Sequence, residues 1–66
     1  MRITLNGELK DVEDGSTVDG LLRELDLMPL RVAVEINEEL VPRKTFATTP
    51  IQNGDHIEVV TFVGGG

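Results

Sequence analysis

Ile3 and Leu5 alternate with Arg2, Thr4 and Asn6, the two-residue period of a strand with one buried face. Asn6-Gly7 is the favoured pair for a tight type I′ hairpin, so Leu9 to Val12 is predicted to return as a short second strand. Asp14-Gly15 marks another turn, and Ser16 or Thr17 can cap a helix beginning just after it, with Ser16 and Asp19 at the spacing of a weak capping box. The period then changes. Val18, Leu21, Leu22 and Leu25 fall at i, i+3, i+4 and i+7, one apolar face of a single helix over Val18 to about Leu25. Gly20 lowers helix propensity and suggests a close approach of helix to sheet, and Pro29 should end the helix around Asp26 to Met28.

The two-residue period resumes in Val32, Val34 and Ile36. Asn37-Glu38-Glu39 reads as a turn and Leu40-Val41 as a very short strand closed by Pro42. Arg43 to Thr49 has room for one 3₁₀ or short helical turn, with Phe46 plugging the core from the side. Asn53-Gly54-Asp55 leads into the last strand, Ile57 to Phe62. The fold class is α+β: a mixed sheet of four to five strands with one helix packed across one face. The first and last strands, both strongly patterned, are expected side by side and parallel. In the last strand Ile57 and Val59, with Thr61 next in phase, face the helix, and Glu58, Val60 and Phe62 face away. Val60 and Phe62 on an uncovered sheet face read as a partner-binding patch.

Sixty-six residues make one domain with a small core, burying about 60% of the extended chain's surface. No cysteine is present, so neither a disulfide nor a thiolate metal site supports it. Twelve acidic residues against six basic ones give a net charge of −6, which argues against nucleic acid and against anionic membrane surfaces. The acidic excess fits docking on a basic partner surface, and equally plain solubility. The head of the chain alternates like a strand rather than a signal peptide, and no apolar run approaches the roughly 18 residues of a membrane span. The expected compartment is the cytoplasm.

The last strand runs almost directly into Gly64-Gly65-Gly66. A glycine run is often a frayed end. Presented by a rigid strand it is also a segment without side chains that can thread a narrow channel in another protein. Gly64, Gly65 and Gly66 are therefore read as a flexible threading tail and the Gly66 carboxylate as the site of modification. No catalytic residue or metal site is expected in this chain: His56 is alone beside a turn, and the acidic residues show no catalytic pairing. The glycines before the tail form no phosphate-binding motif, so any ATP would be bound by a partner. A carboxylate is a poor electrophile, and an acyl-adenylate is a good one. Sulfur attack on that adenylate gives a thiocarboxylate, and amine attack gives an amide. The residues leave both routes open.

The ordered segments Asn6-Gly7-Glu8, Gly15-x-Thr17-Val18-x-x-Leu21-Leu22, Val34-Glu35-Ile36-Asn37, Val41-Pro42-Arg43, Gly54-Asp55-x-Ile57-Glu58 and Phe62-Val63-Gly64-Gly65-Gly66 cover essentially the whole chain. Together they resemble the sulfur carrier family of thiamine biosynthesis, small ubiquitin-like β-grasp proteins. That resemblance implies adenylation of Gly66 by a relative of the ubiquitin-activating enzymes, using ATP and magnesium that this chain does not itself bind. It implies sulfur delivered through a cysteine desulfurase or related sulfur-transfer protein, and a Gly66 thiocarboxylate that donates sulfur to thiazole synthase. Phe46 departs from the tryptophan of many relatives and keeps an aromatic plug. The small subunit of molybdopterin synthase shares this carboxylate chemistry but is generally longer. A ubiquitin-like modifier conjugated to lysine, or a binding module with an inert tail, are the readings from other classes.

Overall fold

The computed structural model describes residues 1–62. The expected flexible tail, 64–66, lies outside the described residues. Five strands form one mixed sheet: β1 (Arg2–Leu5), β2 (Glu8–Asp11), β3 (Val32–Ile36), β4 (Glu39–Leu40) and β5 (His56–Thr61), in the order β2-β1-β5-β3-β4. β5 is the middle strand. It pairs parallel with β1 and antiparallel with β3, as the strength of the first and last strands suggested.

The hairpins explain the order. Asn6 at φ +49° and Gly7 at φ +85° form the left-handed pair that reverses β1 into β2. Asn37 at +52° and Glu38 at +71° do the same between β3 and β4. A two-residue turn suffices there, so Glu39 already pairs with Ile36 and the fourth strand is Glu39–Leu40 rather than Leu40–Val41.

The helix α1 spans Val18–Glu24 and buries Val18, Leu21 and Leu22, with Leu25 half-buried beyond it. Thr17 is its cap: the Gly20 amide donates to Thr17 Oγ1. The expected capping box does not form, because the Ser16 hydroxyl donates to the Glu13 carbonyl instead. The Val18 and Asp19 amides donate to the carbonyls of Thr49 and Phe46, so the connection after β4 satisfies two donors that a helix start leaves open. The helix ends before the span expected from Pro29. Asp26 adopts φ +61° while its amide reaches the Arg23 carbonyl and the Leu27 amide the Leu22 carbonyl, a left-handed stop that acts before proline is reached. Gly20 marks no close approach to the sheet: a Cβ there would meet only Thr17 Oγ1, at 3.5 Å.

Between helix and sheet lies one core: Ile3, Val12, Val18, Leu21, Leu22, Val32, Val34, Val41, Phe46, Ile51, Ile57 and Val59. Burying such a side chain contributes roughly 1.5–3 kcal/mol. Phe46 enters from a 3₁₀ turn over Arg43–Thr45, as expected, and Ile51 from the loop behind it. A second 3₁₀ turn, Pro29–Arg31, leads into β3. Arg43 ties the two turns together, its guanidinium donating to the carbonyls of Pro29 and Val32. The Val-Pro-Arg segment is thus accounted for by architecture.

Candidate partner-binding face

The helix covers one face of the sheet, and the residues of β5 alternate across it. Ile57 and Val59 are buried beneath the helix, while His56, Glu58, Val60 and Phe62 are exposed. The phase expected for β5 therefore holds, except that Thr61 is exposed at the strand's end. Val60 keeps 58% of its surface in solvent and Phe62 50%. Val60 stands directly opposite Ala33 on β3, and the Phe62 amide donates to the Arg31 carbonyl at 2.8 Å. The backbone ladder thus continues through the last described residue, and in the sequence only Val63 separates the apolar patch from the glycine run.

Towards the start of β5 the same face is acidic. Glu58 stands directly opposite Glu35, and Glu35, Glu38, Glu58, Asn37 and His56 line one shallow depression. Like charges facing each other across a ladder are destabilising. Among the described residues the side-chain ion pairs, Arg2–Asp11, Lys10–Glu24 and Asp19–Arg23, lie elsewhere and leave the two glutamates uncompensated. The Arg2 guanidinium, hydrogen-bonded to Asp11 and attracting it, holds that carboxyl below its ordinary range, and Asp11 in turn raises Arg2. Among the described residues no three His, Cys, Asp or Glu side chains are grouped to hold a metal ion, and no helix is long and apolar enough to cross a membrane. Gly64, Gly65 and Gly66, the expected threading tail and modification site, lie outside the described residues.

Two polar residues missed as more than turn formers brace β5. The Asn6 side chain accepts from the Val59 amide at 2.8 Å and donates to the Val59 carbonyl at 3.2 Å. The Asn37 side chain accepts from the His56 amide at 3.0 Å and donates to the Asp55 carboxylate at 3.0 Å. Asp55, 8% exposed, accepts a further bond from the Gln52 amide. Asparagine at the first position of both hairpin turns was the available signal, since glycine serves such a turn equally well.

Comparison with known proteins agrees with this architecture. The family described as the ThiS family matches residues 3–66. A thiazole synthase of Magnetococcus marinus is 48% identical over the whole chain, which spans only 20% of that protein's length. The sulfur carrier protein ThiS of Escherichia coli K12 is 35% identical over 66 residues, 100% of both chains. A crystal structure of the thiamine biosynthesis protein ThiS from Geobacter metallireducens superposes with a TM-score of 0.85 at 35% identity, covering 100% of both chains.

Proposed function

Because the chain belongs to the ThiS family, we propose that it is a sulfur carrier of thiamine biosynthesis whose reacting group is the Gly66 carboxylate. The observation that carries this reading is the end-to-end match to a named sulfur carrier, which brings the glycine run of this chain into register with that protein's end. A partner related to the ubiquitin-activating enzymes binds ATP and magnesium. The Gly66 carboxylate oxygen attacks the α-phosphorus, pyrophosphate leaves, and an acyl-adenylate forms. Hydrosulfide-level sulfur attacks the carbonyl carbon, AMP leaves, and the product is a thiocarboxylate. Glycine suits both steps because no side chain hinders approach to its carbonyl. The chain contributes the reacting group and the docking surface; it is not an enzyme on this reading.

Val60 and Phe62 are the docking contacts, with the Glu35–Glu58 pair meeting basic groups on the partner. From Phe62 the four remaining residues span at most about 14 Å when extended, so the partner's reacting centre must lie within that reach of the docked face. Thiazole synthase is the recipient of the sulfur. Support comes from the thiazole synthases of Magnetococcus marinus and Paramagnetospirillum magneticum, a fifth of whose length matches this chain, so that a carrier-like region and a protein of that name share one polypeptide. A cysteine desulfurase or related sulfur-transfer protein supplies the sulfur as a protein persulfide, from which a thiol reductant releases hydrosulfide while itself being oxidised to a disulfide, and the cycle runs in the cytoplasm.

The test is intact-mass measurement after incubation with the adenylating enzyme, ATP, magnesium and sulfide. One oxygen-to-sulfur exchange at Gly66 is expected, and deletion of Gly66 should abolish it. An unmodified chain, or one joined to lysines of other proteins, overturns the reading. The thiocarboxylate is then offered to thiazole synthase and to molybdopterin synthase, with product expected from the first alone.

A further inference from the structure

The ladder between β1 and β5 is short. The Thr4 amide donates to the Asp55 carbonyl and the Asn6 amide to the Ile57 carbonyl, both at 2.9 Å, and then the chain turns away through Gly7. Val59 is the next residue of β5 whose backbone faces that edge. Its amide and its carbonyl are both taken by one side chain, the exposed carboxamide of Asn6, at 2.8 and 3.2 Å. That carboxamide does for Val59 what one more residue of a neighbouring strand would do. On the other edge β3 and Arg31 just before it hold β5 and Phe62. From Val59 onward, among the described residues, Asn6 is the brace on the β1 side.

We propose that Asn6 is a positioning residue for the tail: its side chain extends the sheet past the end of β1 and fixes the segment that carries Val60, Phe62 and the glycines. The proposal rests on the sulfur-carrier reading, in which that segment docks and the glycines thread. Asn6 acts through Val59, three residues before the last anchored amide. The turn does not require the carboxamide, because glycine adopts the same left-handed angles without strain. The turn and the brace are therefore separable by substitution. Asn6→Gly keeps the turn and removes both bonds to Val59. Asn6→Asp keeps an acceptor for the Val59 amide and places an oxygen against the Val59 carbonyl in place of the donor.

Two measurements test this. Amide hydrogen exchange at Val59 should be slow in the wild-type protein and faster in Asn6→Gly, with Val34 and Ile57 unchanged. In the adenylation and sulfide assay, the KM for Asn6→Gly should rise about three- to tenfold with kcat unchanged, because a freer segment must be ordered on docking and that cost is shared by ground and transition states. Asn6→Asp should fall between the two. A stability role alone would leave KM unmoved at temperatures where both proteins are folded. Unchanged Val59 exchange, or a wild-type KM in a folded Asn6→Gly protein, overturns the proposal. If Asn6→Gly does not fold, wild-type exchange decides: protection at Val59 matching its strand neighbours supports the brace, and exchange as fast as an exposed loop amide removes it. A wild-type chain that accepts no sulfur overturns the carrier reading instead, and the exchange comparison still decides the brace.

Discussion

Phe62→Asp is the substitution that most directly probes the proposed docking face. Half of Phe62 is exposed, so docking can bury about half of a phenylalanine side chain. At roughly 1.5–3 kcal/mol for full burial, truncation to alanine should cost about 0.8–1.5 kcal/mol of binding, roughly a four- to twelvefold increase in Kd. Aspartate adds the desolvation of a carboxylate without a built partner, several kcal/mol in a dry interface, so the loss should reach at least about a hundredfold. Folding should be spared. Phe62 lies outside the core, and its amide bond to the Arg31 carbonyl does not depend on the side chain. A surface change within about 0.5 kcal/mol shifts Tm by no more than roughly 4 °C in a domain of this size. The assay is titration of each variant into the adenylating enzyme, and separately into thiazole synthase, by calorimetry. Leu9→Asp is the control, because Leu9 is 70% exposed on the same sheet face but sits on β2, two strands away. Wild-type affinity in Phe62→Asp, or an equal loss in Leu9→Asp, would refute the assignment of this face.

Two further expectations concern the body of the protein. Glu38 pays for a left-handed backbone at φ +71°, a cost of roughly 1–2 kcal/mol that glycine relieves against about 0.5–1 kcal/mol of added unfolded-state entropy. The net gain is about 0.75 kcal/mol at mid-range, so Glu38→Gly should raise Tm by about 3–6 °C, and Asp26→Gly by less because aspartate tolerates that region better. Glu38→Ala removes the same charge and keeps the Cβ, so an equal rise there would show that charge, not strain, is relieved. Asp11, lowered by its hydrogen bond and attraction to Arg2, contributes stability that is present above the ordinary carboxylate range and lost as pH falls through its depressed folded midpoint. A carbon-13 titration should place that midpoint below ordinary aspartate and return it upward in Arg2→Gln, the difference shrinking in high salt; no movement would remove the pair as its cause.

The elements readable from the chain were those with a repeating period. Val18, Leu21 and Leu22 announced the helix, and alternation in β5 placed Val60 and Phe62 on the open face, because burial on one side writes itself into residue spacing. Boundaries set by hydrogen bonds to distant backbone were not readable. The helix start depends on carbonyls of Phe46 and Thr49, and its end on Asp26 accepting a left-handed angle, neither of which has a periodic signature. Ile51 was missed as core for the same reason: it lies in a loop and reaches the interior because its amide bonds to the Ser16 carbonyl. Asn6 and Asn37 were legible as turn residues only. Their second task depends on β5 lying beside both turns, which is a property of topology.

That topology suits the proposed role, in which the reacting group is the Gly66 carboxylate. A strand at the edge of a sheet has hydrogen-bond partners on one side and frays readily from the other. Here the last strand is the central one. β3 and the residue before it hold one edge from Ile57 to Phe62, while β1 and then Asn6 hold the other as far as Val59. The chain is thus fixed up to the apolar patch. On the sulfur-carrier reading, docking energy at Val60 and Phe62 goes into orientation rather than into ordering a loose strand, since immobilising free segments is a main cost of association. The Glu35–Glu58 opposition fits the same arrangement. It costs stability in the isolated protein, and in the proposed complex basic groups of the partner would relieve it, so that its electrostatic energy would favour the docked state over the free one. On the sulfur-carrier reading, the adenylating enzyme and thiazole synthase both need this face and the one Gly66 carboxylate. They must therefore act in turn, with release from the first preceding capture by the second.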